Sequence, residues 1–346
     1  MGVPPLGMGI SYEFDSRPDD GHIMNVADGI EWLRMPLPFS LNHINLWLLR
    51  EDDGWAIVDT GVATSETIDL WRTVFVDAME NVPASRVIAT HMHPDHVGCA
   101  GFLARHFDVD FWMSRDEYLL CRILVADTGR DAPREGLKFY QAAGFSDDAL
   151  YNYQRAFGFF GKFVKPLPEA YLRLEDGAVL NIGQYNWRLI SGGGHSPEHI
   201  CLFDADQNLL ISGDQLLPTI SSNVSVWPTE PLANPLQDWF DSLRKLRALV
   251  PDDVLVLPAH GKPFRGAHSR IDALILDHEG KLGSLREFCA EPKRAVDVFP
   301  ALYRAEIDDR NRIMATGEAI SHLNFLVAAG EMCADEHDNV IWYRTI

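Results

Sequence analysis

Residues 87–98 read VIATHMHPDHVG, placing three histidines and an aspartate, His91, His93, Asp95 and His96, within six positions of an apolar run. A strand-like period of two puts His91 and His93 on the same side. Asp95 and His96 follow in the turn after Pro94 and can face a second centre, a spacing for two metals. Imidazoles and carboxylates suit Zn²⁺, Fe or Mn²⁺, and a set without thiolate leaves positions open to water, as a catalytic site requires. Packing supplies no reason for this density of polar groups. Cys99 lies close in sequence, but on the helix expected next it points away.

Outward from this stretch, the same arrangement repeats: RLIS precedes Gly192 to His195, LLIS precedes Gly213 and Asp214, and VLVLP precedes Ala259 and His260. Loops that follow strands on a rigid scaffold are where sites are built. If these strands end on neighbouring edges, His91, His93, Asp95, His96, His195, Asp214 and His260 converge at one rim. Lone histidines such as His43, His106 and His322 read as surface or core residues. Upstream, LNHINLWLL, a turn at Asp52-Asp53-Gly54 and WAIVDTG read as strands, and Thr64 to Glu80 has helical spacing. A helix is expected over Ala100 to His106. Strands return at Ala178–Ile182, Trp187–Ser191, Ile200–Phe203, Leu209–Ser212 and Val254–Leu257.

VDTG, THMHPDHVG, GGGHSPEH, SGDQ and PAHG, in this order, resemble the five motifs of the metallo-β-lactamase superfamily. The resemblance spans roughly Asn42 to Gly261 and implies an α/β fold, an αββα sandwich with a dinuclear site at one edge. It implies that His91, His93 and His195 hold one metal, that Asp95, His96 and His260 hold the other, and that Asp214 bridges them. Asp59 of VDTG matches the family aspartate that orients ligands without binding metal; the alternative is a plain turn residue. β-Lactamases of the best-known subclass have cysteine as the bridge and lack His96, and the flavin-partnered di-iron branch has glutamate where His93 stands. What remains is similar to glyoxalase II, acyl thioesterases and lactonases. The usual GHSPG is here GHSPE, so Glu198 is a departure that bears on the local turn.

The 346 residues carry a formal charge of −20, which argues against sequence-independent binding to nucleic acid or an anionic membrane. Five cysteines without a CxxC pair fit a reducing cytoplasm rather than a disulfide framework. Met1 to Gly21 lacks the cationic start and apolar run of a signal peptide, and Leu6 stands where myristoylation at Gly2 needs Ser or Thr. Residues 1–267 read as the catalytic domain, with a helical cap inserted at about 114–168. Residues 268–346 resemble the small helical, winged-helix-like C-terminal domain of some relatives. That tail holds nine basic and fourteen acidic residues, favouring packing or homodimer formation over RNA contact.

Within the cap, residues 139–163 hold nine of the chain's 36 aromatics. Either they anchor short helices or they line an apolar pocket over the metals, Tyr151 and Phe157 being the residues chosen to distinguish the two. The expected activity is hydrolysis of a small-molecule thioester or lactone. The cofactor is two divalent ions, with zinc preferred: hydroxide held between them attacks the acyl carbonyl, and Asp95 orients the water or accepts its proton. The alternatives are a phosphodiesterase or ribonuclease of the same fold, a mononuclear-iron sulfur dioxygenase, and an inactive relative.

Overall fold

The structure, a computed structural model, describes residues 9–39 and 41–346; the reading of Gly2 and Leu6 lies outside the described residues. The chain lays down β1 (Ser11–Tyr12), β2 (Ile23–Ala27), β3 (Ile30–Pro36), β4 (His43–Arg50) and β5 (Trp55–Val58), then α1 (Ser65–Asp77) and β6 (Ala84–Ile88). Next come α2 (Pro94–Val97), α3 (Ala100–Phe107) and β7 (Phe111–Met113). The cap contains α4 (Arg115–Ala126), α5 (Arg134–Ala142), α6 (Asp147–Ala156) and a 3-10 turn at Phe160–Phe163. The sandwich resumes with β8 (Leu172–Arg173), β9 (Val179–Ile182), β10 (Tyr185–Gly192), β11 (His199–Asp204) and β12 (Leu209–Gly213). It closes through α7 (Pro235–Leu249), β13 (Leu255–Pro258) and β14 (Phe264–Arg265). Helices α8 (Ala267–Phe288), α9 (Phe299–Leu302) and α10 (Arg312–Ala328) and a hairpin of β15 (Met332–His337) and β16 (Val340–Thr345) complete the chain.

Two seven-stranded sheets, ordered β2-β3-β4-β5-β6-β7-β8 and β1-β14-β13-β12-β11-β10-β9, stack face to face. This is the αββα layering expected of the sequence. The side-chain period of two shows how β4 serves it. Trp47 and Leu49 enter the core between the sheets, whereas Ile44, Leu46 and Leu48 enter the core under α1 and α3. Both faces are covered, so the strand reads as a continuous apolar run rather than as alternation. Strands β12 and β13 divide likewise, with Ile211 and Leu257 facing the other sheet and Leu210 and Val256 facing α7 and α8. Trp32 and Trp47 stack with ring centroids 6.2 Å apart inside that central layer.

Local chemistry sets the helix ends near the site. The Thr64 hydroxyl accepts the Thr67 N–H to cap α1, and Pro94 at the first turn of α2 supplies a preset φ where no N–H is needed. Helix α10 starts at Arg312 without a side-chain cap from Asn311. The C-terminal helices share their apolar core with the sandwich: Leu282, Leu285, Ala319, Leu323 and Leu326 belong to the same cluster as Leu210, Trp239 and Val256. Among the described residues no helix is long and apolar enough to cross a membrane.

The cap aromatics divide, and five of the nine follow the anchoring alternative. Tyr140, Phe145 and Tyr153 close on one another as a separate buried cluster, packed by Phe139, Phe157, Val296 and Ile313, so they anchor the cap to the C-terminal segment. Tyr151 faces solvent, with the Arg155 guanidinium 5.9 Å from its ring centroid. By contrast, Phe163 meets Phe159 and Phe39 edge-on at 4.9 and 5.5 Å, and the 3-10 turn that carries it packs on α2.

Candidate metal centre

Four strand ends deliver the polar residues to one rim: β6 leads to His91–His96, β10 to His195, β12 to Asp214 and β13 to His260. All seven residues singled out in the sequence come together there. His93 Nδ1 lies 2.8 Å from His91 Nε2 and 2.9 Å from His195 Nε2. Beside this trio, His260 Nε2 lies 3.3 Å from Asp95 Oδ2 and 3.4 Å from Asp214 Oδ1. Asp214 spans both groups, with Oδ1 3.4 Å from His96 Nε2 and Oδ2 3.3 Å from His195 Nε2.

Three outer ring nitrogens are engaged by the protein. His195 Nδ1 meets the Asn223 carbonyl at 2.8 Å, His260 Nδ1 the His43 carbonyl at 2.8 Å, and His96 Nδ1 the Asp59 carboxylate at 2.7 Å. Donation through Nδ1 leaves Nε2 aimed at the centre in all three, where it takes either a proton or a cation. Lone pairs turned on one another repel, and His96 Nε2 and Asp214 Oδ1 are buried without a hydrogen-bond partner. Such orphaned groups are costly unless a cation is shared among them. The donor set therefore fits divalent metal, with nitrogen and carboxylate ligands and no thiolate.

The electrostatics differ across the centre. Burial, then His96 and His93, hold His91 well below its ordinary value, and burial with His195 brings His93 down to about 3. On the other side burial opposes charge on His96, yet Asp59, Asp95 and Asp214 raise it well above its ordinary value. Burial also works against ionised Asp95, but His96 and His260 outweigh it and bring its carboxyl to about 2. One half thus keeps His91 and His93 as neutral imidazoles, and the other is rich in carboxylate.

The model described as "Metallo-beta-lactamase superfamily" matches residues 40–260. The chain belongs to the metallo-beta-lactamase superfamily. A second model, "Metallo-beta-lactamase-like, C-terminal domain", matches residues 282–346. A crystal structure of a beta-lactamase domain protein from Burkholderia ambifaria is 39% identical, covers 99% of each chain and superposes with a TM-score of 0.91. The Acyl-coenzyme A thioesterase MBLAC2 of Homo sapiens is 28% identical over 271 residues, 75% of this chain and 87% of that protein. The Hydroxyacylglutathione hydrolase GloC of Haemophilus influenzae is 24% identical over 226 residues, 65% of this chain and 89% of that protein. With the His/Asp cluster, these similarities make this superfamily member a metal-dependent hydrolase that binds divalent metal.

The residues that support the centre come from several elements, and of these Asn45, His199 and Glu117 were not singled out in the sequence. Asp59, at φ 62°, takes the Thr90 N–H on Oδ1 at 2.8 Å while its Oδ2 meets His96, so it braces the loop that carries His91 to His96. His43 accepts the Gly261 N–H on Nε2, and Asn45 donates to the Pro258 and Gly261 carbonyls, both at 2.8 Å, so β4 grips the His260 loop. His199 accepts the Asp214 N–H at 3.1 Å; the second histidine of HSPEH was the available signal. Glu117 on α4 is wholly buried, and its carboxylate accepts the Met92 N–H at 2.9 Å and the Glu198 N–H at 2.8 Å. One side chain thereby joins the His91–His93 loop to the His195 loop. Glu198 itself takes the Asp116 N–H at the first turn of α4 and pairs with Arg173 at 3.5 Å. The departure from GHSPG is used to seat the cap. Among the lone histidines, His106 stacks on Phe75 at 4.8 Å and His322 is bonded to His278 in the core.

Proposed function

We propose that this chain hydrolyses a small acyl thioester with two divalent cations, zinc being preferred. His91, His93 and His195 would hold one ion, Asp95, His96 and His260 the other, and Asp214 both. The observation that carries this reading is Asp214, whose two oxygens stand 3.3 to 3.4 Å from ring nitrogens of both groups. A mononuclear-iron centre would leave Asp95, His96 and His260 without a role. The thioester assignment draws on relatives named as acyl-coenzyme A thioesterase, hydroxyacylglutathione hydrolase and atrochrysone carboxyl ACP thioesterase.

When bound, the cations lower the pKa of water toward about 7 and polarise the acyl carbonyl. Asp95 supports this from the protein side. Its side chain is 18% exposed against 10% for Asp214, so it is the carboxylate nearer the entrance. Held ionised by His96 and His260, it is available throughout the neutral range to orient the attacking water and accept its proton. The Nδ1 bonds of His96, His195 and His260 keep each Nε2 aimed inward as charge develops. Cys99, Cys121 and Cys201, whose thiols burial pushes up to about 12, stay inert, in keeping with a cytoplasmic enzyme.

The test is metal analysis of the purified chain together with a panel of acyl thioesters, lactones, β-lactams and single-stranded RNA. Two ions per chain and a thioester as the fastest substrate are expected. Turnover of RNA with no thioester hydrolysis at full metal loading would replace this reading with the nuclease one.

A further inference from the structure

Residues 214–234, between β12 and α7, form neither helix nor strand, yet Val224 and Val226 are fully buried. This loop carries the Asn223 carbonyl that lies 2.8 Å from His195 Nδ1. An irregular segment has backbone freedom that must be removed before it can aim a ligand. The restraint comes from the C-terminal segment. Asn223 Nδ2 donates to Glu318 Oε2 at 3.2 Å, and the Val226 N–H donates to the Gly317 carbonyl at 3.0 Å. The Ser225 hydroxyl lies against Asn223 Oδ1 and 3.2 Å from the Met314 carbonyl. A Cβ at Gly317 would stand 2.8 Å from the Ser225 side chain, so α10 and the loop meet at backbone distance. Arg270 of α8 donates to the carbonyls of Leu217 and Ile220 in the same loop.

Glu318 is the hub of this contact. Only 9% exposed, it also receives the Tyr303 hydroxyl at 3.2 Å and Lys281 Nζ at 3.3 Å. Three donors from α8, from the residue after α9 and from the loop fix its carboxylate, and Lys281 balances its charge.

We propose that Glu318 is a positioning residue of the metal centre: through Asn223 it fixes the carbonyl that sets the tautomer and direction of His195. The C-terminal segment then completes a site whose candidate ligands all precede it in the chain. This rests on His195 being a ligand, so His195→Ala is included as the control that tests that reading separately.

The experiment uses the full chain. Zinc affinity is measured by competition with a chelator, the Co²⁺ absorption spectrum is recorded, and the metal-free melting temperature is determined. Glu318→Ala is expected to weaken zinc binding by up to about 10-fold, the lower end of the scale for losing a direct partner of a ligand because the Asn223 carbonyl itself remains, and to change the Co²⁺ bands. Glu318→Gln keeps an oxygen that can accept from Asn223 Nδ2 and should restore most of the affinity. Leu323→Ala, buried on the same helix, should lower the melting temperature while leaving zinc affinity and spectrum unchanged. If Glu318→Ala does not fold, Asn223→Ala removes the same bond from the loop side and is read in the same way. Parent-like zinc affinity and spectrum in the Glu318 or Asn223 variant, with binding weakened in His195→Ala, would overturn the proposal and leave His195 a ligand. Unchanged zinc binding in His195→Ala would overturn both.

Discussion

At the scale of single residues, the two buried carboxylates of the centre have different work. Asp214 lies between the two histidine groups, so Asp214→Ala removes a carboxylate within reach of both. Metal per chain, measured after dialysis against a buffered low concentration of zinc, should fall by at least one ion. Retention of two ions with parent activity would take Asp214 out of the bridging role. Asp95 is the more exposed of the pair and holds its charge at neutral pH. Asp95→Asn places an amide where a proton acceptor is needed, and kcat should drop about 10²- to 10⁴-fold. Steady-state kinetics at verified metal loading checks this, and an unchanged kcat would remove Asp95 from proton transfer.

At the scale of elements, the cap is held in two ways that mutation can separate. Phe157 belongs to the cluster that fastens α5 and α6 to the C-terminal segment. Phe157→Ala should cost about 3 kcal/mol, within the usual range for removing a packed aromatic ring, and leave the preference for acyl length unaltered. Phe159, 49% exposed and edge-on to Phe163, immediately precedes the 3-10 turn that packs against α2, the element carrying Asp95 and His96. Phe159→Ala should keep the parent melting temperature but flatten the rise of kcat/KM with acyl length, since each methylene buried against such a surface contributes about 0.8 kcal/mol. A series of thioesters of increasing chain length measures the slope in both variants. A parent-like slope in Phe159→Ala would move the acyl site elsewhere, with the loops around His43 and residues 219–227 as the next candidates.

Across the whole molecule, the shared core under α7, α8 and α10 contains a titratable pair. His278 Nδ1 and His322 Nε2 are 3.0 Å apart, His322 Nδ1 meets the Glu318 carbonyl at 2.8 Å, and the Ser221 hydroxyl lies 3.2 Å from His278 Nε2. Two neutral rings satisfy that chain completely. Lys281, 3.3 Å from Glu318, already supplies a cation there. Burial, then His322 and Lys281, hold His278 well below its ordinary 6.5, and burial holds His322 down despite Glu318. Both folded values lie under the unfolded ones, so the unfolded chain binds more protons on the acid side. The stability from this pair is complete above pH 6.5 and is lost as the pH falls toward the folded values. In denaturant titrations of metal-free protein from about pH 8 to about pH 5, His278→Gln should begin less stable and lose less than the parent. Equal losses in the two proteins would contradict the assignment.

The sequence by itself determined the sandwich and the cluster of His91, His93, Asp95, His96, His195, Asp214 and His260, because each sits in a short motif directly after an apolar strand. Strand and motif are both local patterns, and a sheet carries successive strand ends to a common rim. Tertiary structure alone decided what holds those residues in place. Glu117 reaches Glu198 across 81 positions and Glu318 reaches Asn223 across 95, and neither glutamate has a neighbour in sequence that marks it as buried. The cap shows the same limit. Phe157 and Phe159 stand two residues apart with the same side chain, and only the packing of the cap against Val296 and Ile313 half-buries one against the Tyr140 cluster and leaves the other exposed against Phe163. Composition records that aromatic rings are present; which surface each ring covers depends on segments more than a hundred residues away, brought there by the fold.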